Sequence, residues 1–455
     1  MSGVQVSRAV ALEVIRAVNT DDAYANLLLP ARLRRAGLGT ADAALATELT
    51  YGTLRRSGYY DRVIELASGR QIDRIDGPLR DILRLGTHQL LSMRVAPHAA
   101  VNEAVQQAKS SGKRSGTGFV NGVLRSIARV DREEWMHRVL GDPDDEDGRL
   151  AVVHSHPRWV VQALRDALAA DGSALELTYL LEADNAPPKV GLVALPGLAE
   201  READLGPLPR TEFSPLGVVL GSGDPLSMSA VRDGRARVQD EGSQLAALAL
   251  SRARPIEAGE KWLDMCAGPG GKAALLAAEA YGGGASLVAN EVAPTRVQLV
   301  RSSLASAPGR PEIVEGDGRR YADQPESFDR ILLDAPCTGL GALRRRPEAR
   351  WRKRPEDVST LVPLQKALLE AAIVAVVPGG LIAYVTCSPH LAETREVVDA
   401  ALAAHPELVA VDTGAVLSEV TNGALTHAAV GSAVQLWPHR HGTDGMFISL
   451  LAKKH

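Results

Sequence analysis

Cysteine is scarce in this chain: three in 455 residues. Cys266, Cys337 and Cys387 lie far apart, and Met1–Thr20 carries Arg8, Glu13 and Arg16 at helical spacing in place of a signal-peptide apolar block. That excludes a disulfide framework and predicts reduced thiols and a cytosolic address. No Cys-x-x-Cys pair occurs, and the eleven histidines are scattered, with His154/His156 and His439/His441 as the only close pairs. No metal site is therefore expected. No stretch reaches roughly 18 uninterrupted apolar residues, so no membrane partner is expected. Aromatic residues are only 4% of the chain against 45% hydrophobic overall, which leaves Ala, Leu and Val to build the interior.

The net charge of −4 would not by itself suggest a polyanionic partner, but it is unevenly spread. Residues 1–130 hold 18 Lys and Arg against 11 Asp and Glu, so the remainder carries −11. A basic front region is compatible with RNA. The length predicts two or three domains.

From Ser7 to about Val130 apolar residues recur at i, i+3, i+4 and i+7, as in Ala9, Leu12, Val14, Ile15 and Val18. This reads as an all-α bundle over 1–140, with breaks at Gly39, at Gly69 and within Lys109 to Gly118. The acidic run Gly141 to Gly148 has no apolar period and is taken as a domain boundary. A small α+β subdomain is expected over 150–235, with a helix from Arg158 to Ala169 and an apolar run at Lys189 to Leu195. Over 236–455, short apolar runs alternate with helical patterns: Lys261–Met265, Ser286–Asn290, Glu312–Glu315, Arg330–Asp334 and Leu381–Thr386. That alternation predicts a doubly wound, Rossmann-like and mainly parallel α/β domain.

Three segments concentrate the chemistry. Trp262 to Ala273 reads as a strand, a turn (Cys266-Ala267-Gly268-Pro269-Gly270-Gly271-Lys272) and a helix from Ala273 to Ala280. Such a turn brings backbone amides close to a nucleotide-like ligand, and Glu291 ends the next strand where it can meet ribose hydroxyls. The pattern does not separate NAD from S-adenosylmethionine, but it does exclude a Walker A loop, because Cys266 and Ala273 occupy the required Gly and Ser/Thr positions. Phe328 to Cys337 places Asp334 and Cys337 at the end of a buried strand. Pro378 to Pro389 places Cys387 at the end of another. In an open α/β sheet both strand ends face one crevice, and two thiols there point to covalent catalysis.

A Cys thiolate adding to carbon 6 of cytosine would turn carbon 5 into an enamine able to attack a methyl sulfonium. An acid at N3 would help, and Asp334 could supply it if burial raises its pKa. Elimination then needs a base, for which Cys337 is a candidate. Leu343 to Arg354 holds seven basic residues and one acid. At that density it could pair with RNA phosphates, with Trp351 offering a face for base stacking.

At Asp264 to Lys272, Leu333 to Cys337, Arg345 to Trp351 and Thr386 to Ser388 the sequence resembles the Nop2/Sun family of RNA 5-methylcytosine methyltransferases. The resemblance implies S-adenosylmethionine as cofactor, Cys387 as nucleophile and Cys337 as the residue assisting product release. It also implies a cofactor site lined by Cys266 to Lys272, Glu291, Asp317 and Asp334. Ala23 to Leu29, Ala46 to Arg56 and Gly118 to Arg125 resemble the NusB-type helical RNA-binding domain. The pairing is the arrangement of the bacterial small-subunit rRNA cytosine-5 methyltransferases. It implies 16S rRNA, naked or in a partly assembled subunit, as partner of a monomeric enzyme. After Cys387 the family's Pro-Glu-Glu-Asn run is reduced to a match at Glu393. A tRNA methyltransferase and a non-catalytic, antitermination-type RNA-binding factor are the rival readings.

Overall fold

The computed structural model describes residues 4–141 and 145–455, which divide into two compact units. The first comprises Met1–Arg165, Leu175–Pro187 and Leu343–Lys353; the second comprises Asp166–Ala174, Pro188–Ala342 and Arg354–His455.

The first unit is all helical. Its main helices are α1 (Val6–Thr20), α2 (Ala25–Ala36), α3 (Thr40–Arg55), α4 (Ser57–Ser68), α5 (Gly77–Leu91), α6 (Pro97–Ser110) and α7 (Thr117–Ala128). The i, i+3, i+4, i+7 period becomes buried stripes: Ala11, Val14, Ile15 and Val18 on α1, and Val120, Val123, Leu124 and Ile127 on α7 share one core. The breaks expected at Gly39, Gly69 and 109–118 coincide with turns.

The acidic run expected to separate domains does not do so. Asp142 to Asp144 lie outside the described residues, and Asp145 caps a further helix, Glu146–Val153, by accepting from Gly148 N at 2.6 Å. Glu146 and Asp147 sit in that helix's first turn, where the macrodipole favours acids, and both pair with Arg165.

The basic run after Cys337 is also not what its charge suggested. Residues 343–353 pack as part of the helical unit. Arg350 is fully buried and donates to the carbonyls of Arg55 (3.1 Å), Ser155 (3.1 Å) and Asp184 (3.2 Å) and to Asn185 Oδ1 (2.9 Å). Arg352 donates to the carbonyls of Val18 and Ala23. The Trp351 ring lies against Gly58 so closely that a β-carbon there would come within 2.5 Å of it. Arg350 and Arg352 thus meet mainly backbone, where the sequence reading offered the run to phosphates, while Trp351 remains 44% exposed.

The second unit holds two sheets. Strands β1 (Val190–Ala194), β2 (Gly217–Leu220) and β3 (Ala236–Val238) form a small antiparallel sheet in the order β2-β1-β3. This sheet clusters with the α/β region that follows it, while residues 150–165 cluster with the helices, so there are two units where three were expected. The large sheet has nine strands: β4 (Lys261–Asp264), β5 (Ser286–Glu291), β6 (Glu312–Glu315), β7 (Phe328–Asp334), β8 (Val376–Thr386), β9 (Leu408–Val411), β10 (Ala429–Val430), β11 (Ala433–Gln435) and β12 (Phe447–Lys453). Their order is β10-β11-β12-β8-β7-β4-β5-β6, with β9 beside β12.

The five central-to-edge strands β8-β7-β4-β5-β6 are parallel, and β12 adds antiparallel to β8. The chain leaves β4 toward β5 and β6, then returns to β7 on the other side of β4. That reversal is the topological switch point, and ligands bind beyond the strand ends there. Among the described residues one helix, Pro355–Ala375, is long and apolar enough to cross a membrane. Here Leu368, Leu369, Ala372 and Ile373 of that helix pack in the sheet's core.

Arg350→Ala would leave three carbonyls and one amide oxygen without their donor. We expect the helical unit to lose about 3 kcal/mol, with Arg350→Lys restoring little because an ammonium cannot span the guanidinium's acceptors. Urea unfolding followed by helix signal measures this, and a loss within the scatter of surface substitutions would show that the arginine is not a structural hub.

Candidate active site

Four loops meet at the switch point. The turn after β4 requires glycine: Gly270 has φ +105°, and a β-carbon there would sit 2.4 Å from Ser303 Cβ. The turn is tied down by Ser303 Oγ donating to Pro269 O (2.8 Å) and by Arg296 donating to Gly268 O (2.6 Å). It leads into the helix Gly271–Gly282, two residues earlier than the sequence pattern indicated. Glu291, at the end of β5, is 3% exposed and accepts from Gly268 N (3.0 Å) and Ala293 N (2.9 Å). It therefore fixes the turn as well as facing the ligand position, and each oxygen keeps a lone pair. Asp317, after β6, is clasped by Arg319, whose hydrogen bonds hold its carboxyl below the usual range.

Two buried side chains that sequence reading did not select stand beside this turn. Asp264, the last residue of β4, is 1% exposed and no side chain donates to either of its oxygens. Burial, then repulsion from Asp334, pushes its carboxyl up to about 8. Gln239 is 6% exposed, lies next to Gly271 and has neither amide atom paired. Orphaned buried groups of this kind fit a ligand that carries complementary polar atoms. The signal for Asp264 was available, since it ends a strand immediately before the glycine-rich turn. Gln239 gave none. Burial, then Asp264 and Asp334, drive the Cys266 thiol far upward, so Cys266 lines the turn as a neutral group.

Asp334 differs from the expectation of a desolvated acid. Its side chain is 26% exposed, and its Oδ2 accepts from Lys272 Nζ at 2.8 Å. Burial works against the ammonium of Lys272, but Asp334, Cys387 and Asp264 outweigh it and the lysine's pKa is raised. The acid whose pKa burial does raise is its neighbour Asp264.

The two cysteines are brought together, as the strand order predicted. Cys337 Sγ and Cys387 Sγ are 3.4 Å apart. The hydrogen bond to Cys387, then burial, raises the Cys337 thiol well above its ordinary value. Either sulfur of the pair can be the donor. The spacing depends on laced loops: Ala335 N donates to Val385 O (2.8 Å) and Gly341 N to Cys387 O (2.9 Å).

Glu393 completes the lacing. Fully buried, it accepts from Thr338 N (2.8 Å), Thr338 Oγ1, Ser388 Oγ (2.7 Å) and Gln365 Nε2 (3.2 Å). Four donors fill its lone pairs, and they come from both cysteine loops and from the helix Pro355–Ala375. The sequence offered only a family match at this position. Among the described residues no group of three or more His, Cys, Asp or Glu could hold a metal ion.

Thiols and a nucleotide turn gathered at the switch point of a doubly wound sheet make this a Rossmann-like group-transfer enzyme. Comparison with known proteins narrows the class. Residues 253–452 match the family "16S rRNA methyltransferase RsmB/F" and residues 5–129 match the NusB family. The chain is 49% identical to putative methyltransferase Rv1407 of Mycobacterium tuberculosis, covering 98% of this chain and 96% of that one. It is 30% identical to probable ribosomal RNA small subunit methyltransferase B of Bacillus subtilis, covering 98% of each. The chain belongs to the RsmB/F methyltransferase family, with a NusB-family helical region at its front. Among solved structures, PH0851 matches over the whole of both chains with a TM-score of 0.81 at 23% identity. NSun6 from Pyrococcus horikoshii with SFG matches 65% of this chain and 98% of that one with a TM-score of 0.53 at 18% identity. Both likenesses bear on the fold.

Two outcomes test the site's physics. Glu393→Ala strips four buried donors of their acceptor and releases both cysteine loops. Turnover should fall about 100-fold, since small misplacement of reacting groups is costly, while cofactor affinity changes less than threefold. Equal losses in both would mean that Glu393 acts on the fold at large.

The second concerns Asp264. In the folded chain it holds its proton up to about pH 8, whereas its ordinary value is 3.8. The folded state thus carries an extra proton between these values, and the residue's stabilising contribution, complete below about pH 4, disappears as pH rises through 8. Asp264→Asn should therefore raise the thermal midpoint relative to wild type by a few °C at pH 9 and by much less at pH 5. A difference that is flat with pH would mean the carboxylate is solvated.

Proposed function

We propose that this chain methylates carbon 5 of a cytosine in 16S rRNA, with Cys387 forming a covalent bond to carbon 6. The observation that carries the reading is the 3.4 Å contact between two strand-end sulfurs beside the Lys272–Asp334 pair. Methyltransferase membership and the relatives' names supply the reaction class and the substrate.

Cys387 is taken as the attacking sulfur because its Thr-Cys-Ser setting matches the family's nucleophile, and Cys337 lies within 3.4 Å of it. Addition to carbon 6 pushes electrons toward carbon 5 and N3. The Lys272 ammonium and Asp334 face the crevice where that charge develops, Lys272 offsetting it and Asp334 orienting the pyrimidine's N3 and amino edge. S-adenosylmethionine, when bound, would supply the electrophilic methyl. The turn Cys266 to Lys272, Glu291 and Asp317 would hold it, with Asp264 and Gln239 offering their unpaired polar atoms. Once Cys387 is bonded to carbon 6, Cys337 gives up its own proton to solvent, and the resulting thiolate, held beside the adduct, accepts the carbon-5 proton. Loss of that proton re-forms the 5,6 double bond and expels Cys387. A cytoplasmic, single-chain enzyme is part of this reading.

Labelled cofactor with unmethylated 16S rRNA, and tRNA in parallel, tests it. Cys387→Ala should transfer at less than about a thousandth of the wild-type rate. Cys337→Ala should trap an SDS-resistant protein–RNA adduct. Full transfer by Cys387→Ala together with none by Cys337→Ala would reverse the roles, and label appearing only in tRNA would move the substrate.

A further inference from the structure

Arg350 and Arg352 of the basic run are committed to backbone carbonyls, and the surplus of cations in residues 1–130 offers a further place for a polyanion. The helical unit provides one. Between α6 and α7 lies a cleft of about 670 Å³. His98, Asn102 and Lys109 reach it from α6, Asn121 and Arg125 from α7, and Arg129 from the residue just beyond α7. No carboxylate lines it. Among the described residues none of these six side chains has a hydrogen-bond or ion-pair partner, unlike Arg84, Lys113 and Arg138 on the same unit, which are all paired. Its lining also includes Gly118, where an added β-carbon would meet nothing within 4 Å, so the floor is open backbone.

We propose that this cleft binds the phosphodiester backbone of the substrate RNA. The proposal rests on the preceding reading for the identity of that RNA. Asn121, Arg125 and Arg129 recur every fourth residue, which sets them about 6 Å apart along the helix, a spacing comparable to that of successive phosphates on a strand. Unpaired cations in an acid-free cleft lower the cost of bringing polyanion in, because no internal ion pair has to break first. Asn102 and Asn121 carry both donors and acceptors and can meet ribose 2′-hydroxyls, which separate RNA from DNA. No Phe, Tyr or Trp lines the cleft, and His98 is the one aromatic ring in its lining. Its cations and amides therefore serve mainly to hold backbone, with little dependence on sequence.

The test uses the full chain and protein-free 16S rRNA, with binding read by filter retention across a salt series and methylation read as KM and kcat. In Lys109→Ala/Arg125→Ala/Arg129→Ala, affinity at about 100 mM salt should fall at least tenfold and the slope of log K against log salt should flatten by about 2. KM should rise in step while kcat stays within twofold. Gly118→Tyr should weaken binding similarly by filling the cleft without altering charge. The unfolding midpoint of both variants should match wild type. Unchanged affinity and salt slope in the triple variant would overturn the proposal, as would a cleft that instead captures an acidic peptide with RNA binding intact. Wild-type protein failing to methylate 16S rRNA would sink the preceding reading, yet the binding comparison needs no catalysis and would still decide the cleft.

Discussion

Two sulfurs can share a proton only if two loops from separate strands are held at a fixed separation, and a single buried carboxylate sets that separation. Glu393 takes donors from Thr338 and Ser388, each the immediate neighbour of a cysteine, and from Gln365, which also donates to Pro336 O at 2.9 Å. A buried carboxylate is costly to desolvate, and here four hydrogen bonds offset the cost. The same bonds make the two loops one object. Without them each loop would carry unsatisfied hydroxyl and amide groups away from water, so the arrangement is held by the penalty for breaking it as much as by attraction.

The charges in the crevice are balanced around one cation. Lys272 stands beside Asp334, and Asp334 above all, with Cys387 and Asp264, favours its ammonium against burial. Had Asp264 also been ionised, the crevice would hold one cation against two strand-end carboxylates with Glu291 nearby. Its raised pKa removes that excess by keeping a proton on the most buried of them.

The strands of the large sheet were readable because a parallel strand buried on both faces leaves a run of apolar residues bounded by turn formers. β6 matched its expected limits and β7 began two residues before them. The antiparallel additions β9 to β12 were not readable, since β10 and β11 are two and three residues long and carry no period. The site was legible in part for a related reason. Cys337, Cys387 and Asp334 sit at the ends of recognisable strands, and strand ends in this architecture share a crevice. Glu393 lies in a short 3-10 turn, and its partners come from three segments, so nothing local marks it. The Lys272–Asp334 pair was not legible, because its two members lie 62 residues apart in the sequence.

Residues 343–354 show why charge density is a weak guide to partners. An arginine's five donors suit phosphate oxygens and backbone carbonyls equally. What separates the two uses is whether carbonyls are left unpaired where a loop crosses helix ends, and that is a property of the fold. Arg350 fills such a place, and burial lowers its pKa only to about 10, so it stays charged throughout the neutral range and keeps all its donors. Lys109, Arg125 and Arg129 are scattered singly in the sequence and were not read as a group, because their shared cleft exists only once α6 and α7 pack. Arg350 and Arg352 of the conspicuous cluster are spent on the helical unit's backbone, while Lys109, Arg125 and Arg129 keep donors without partners among the described residues.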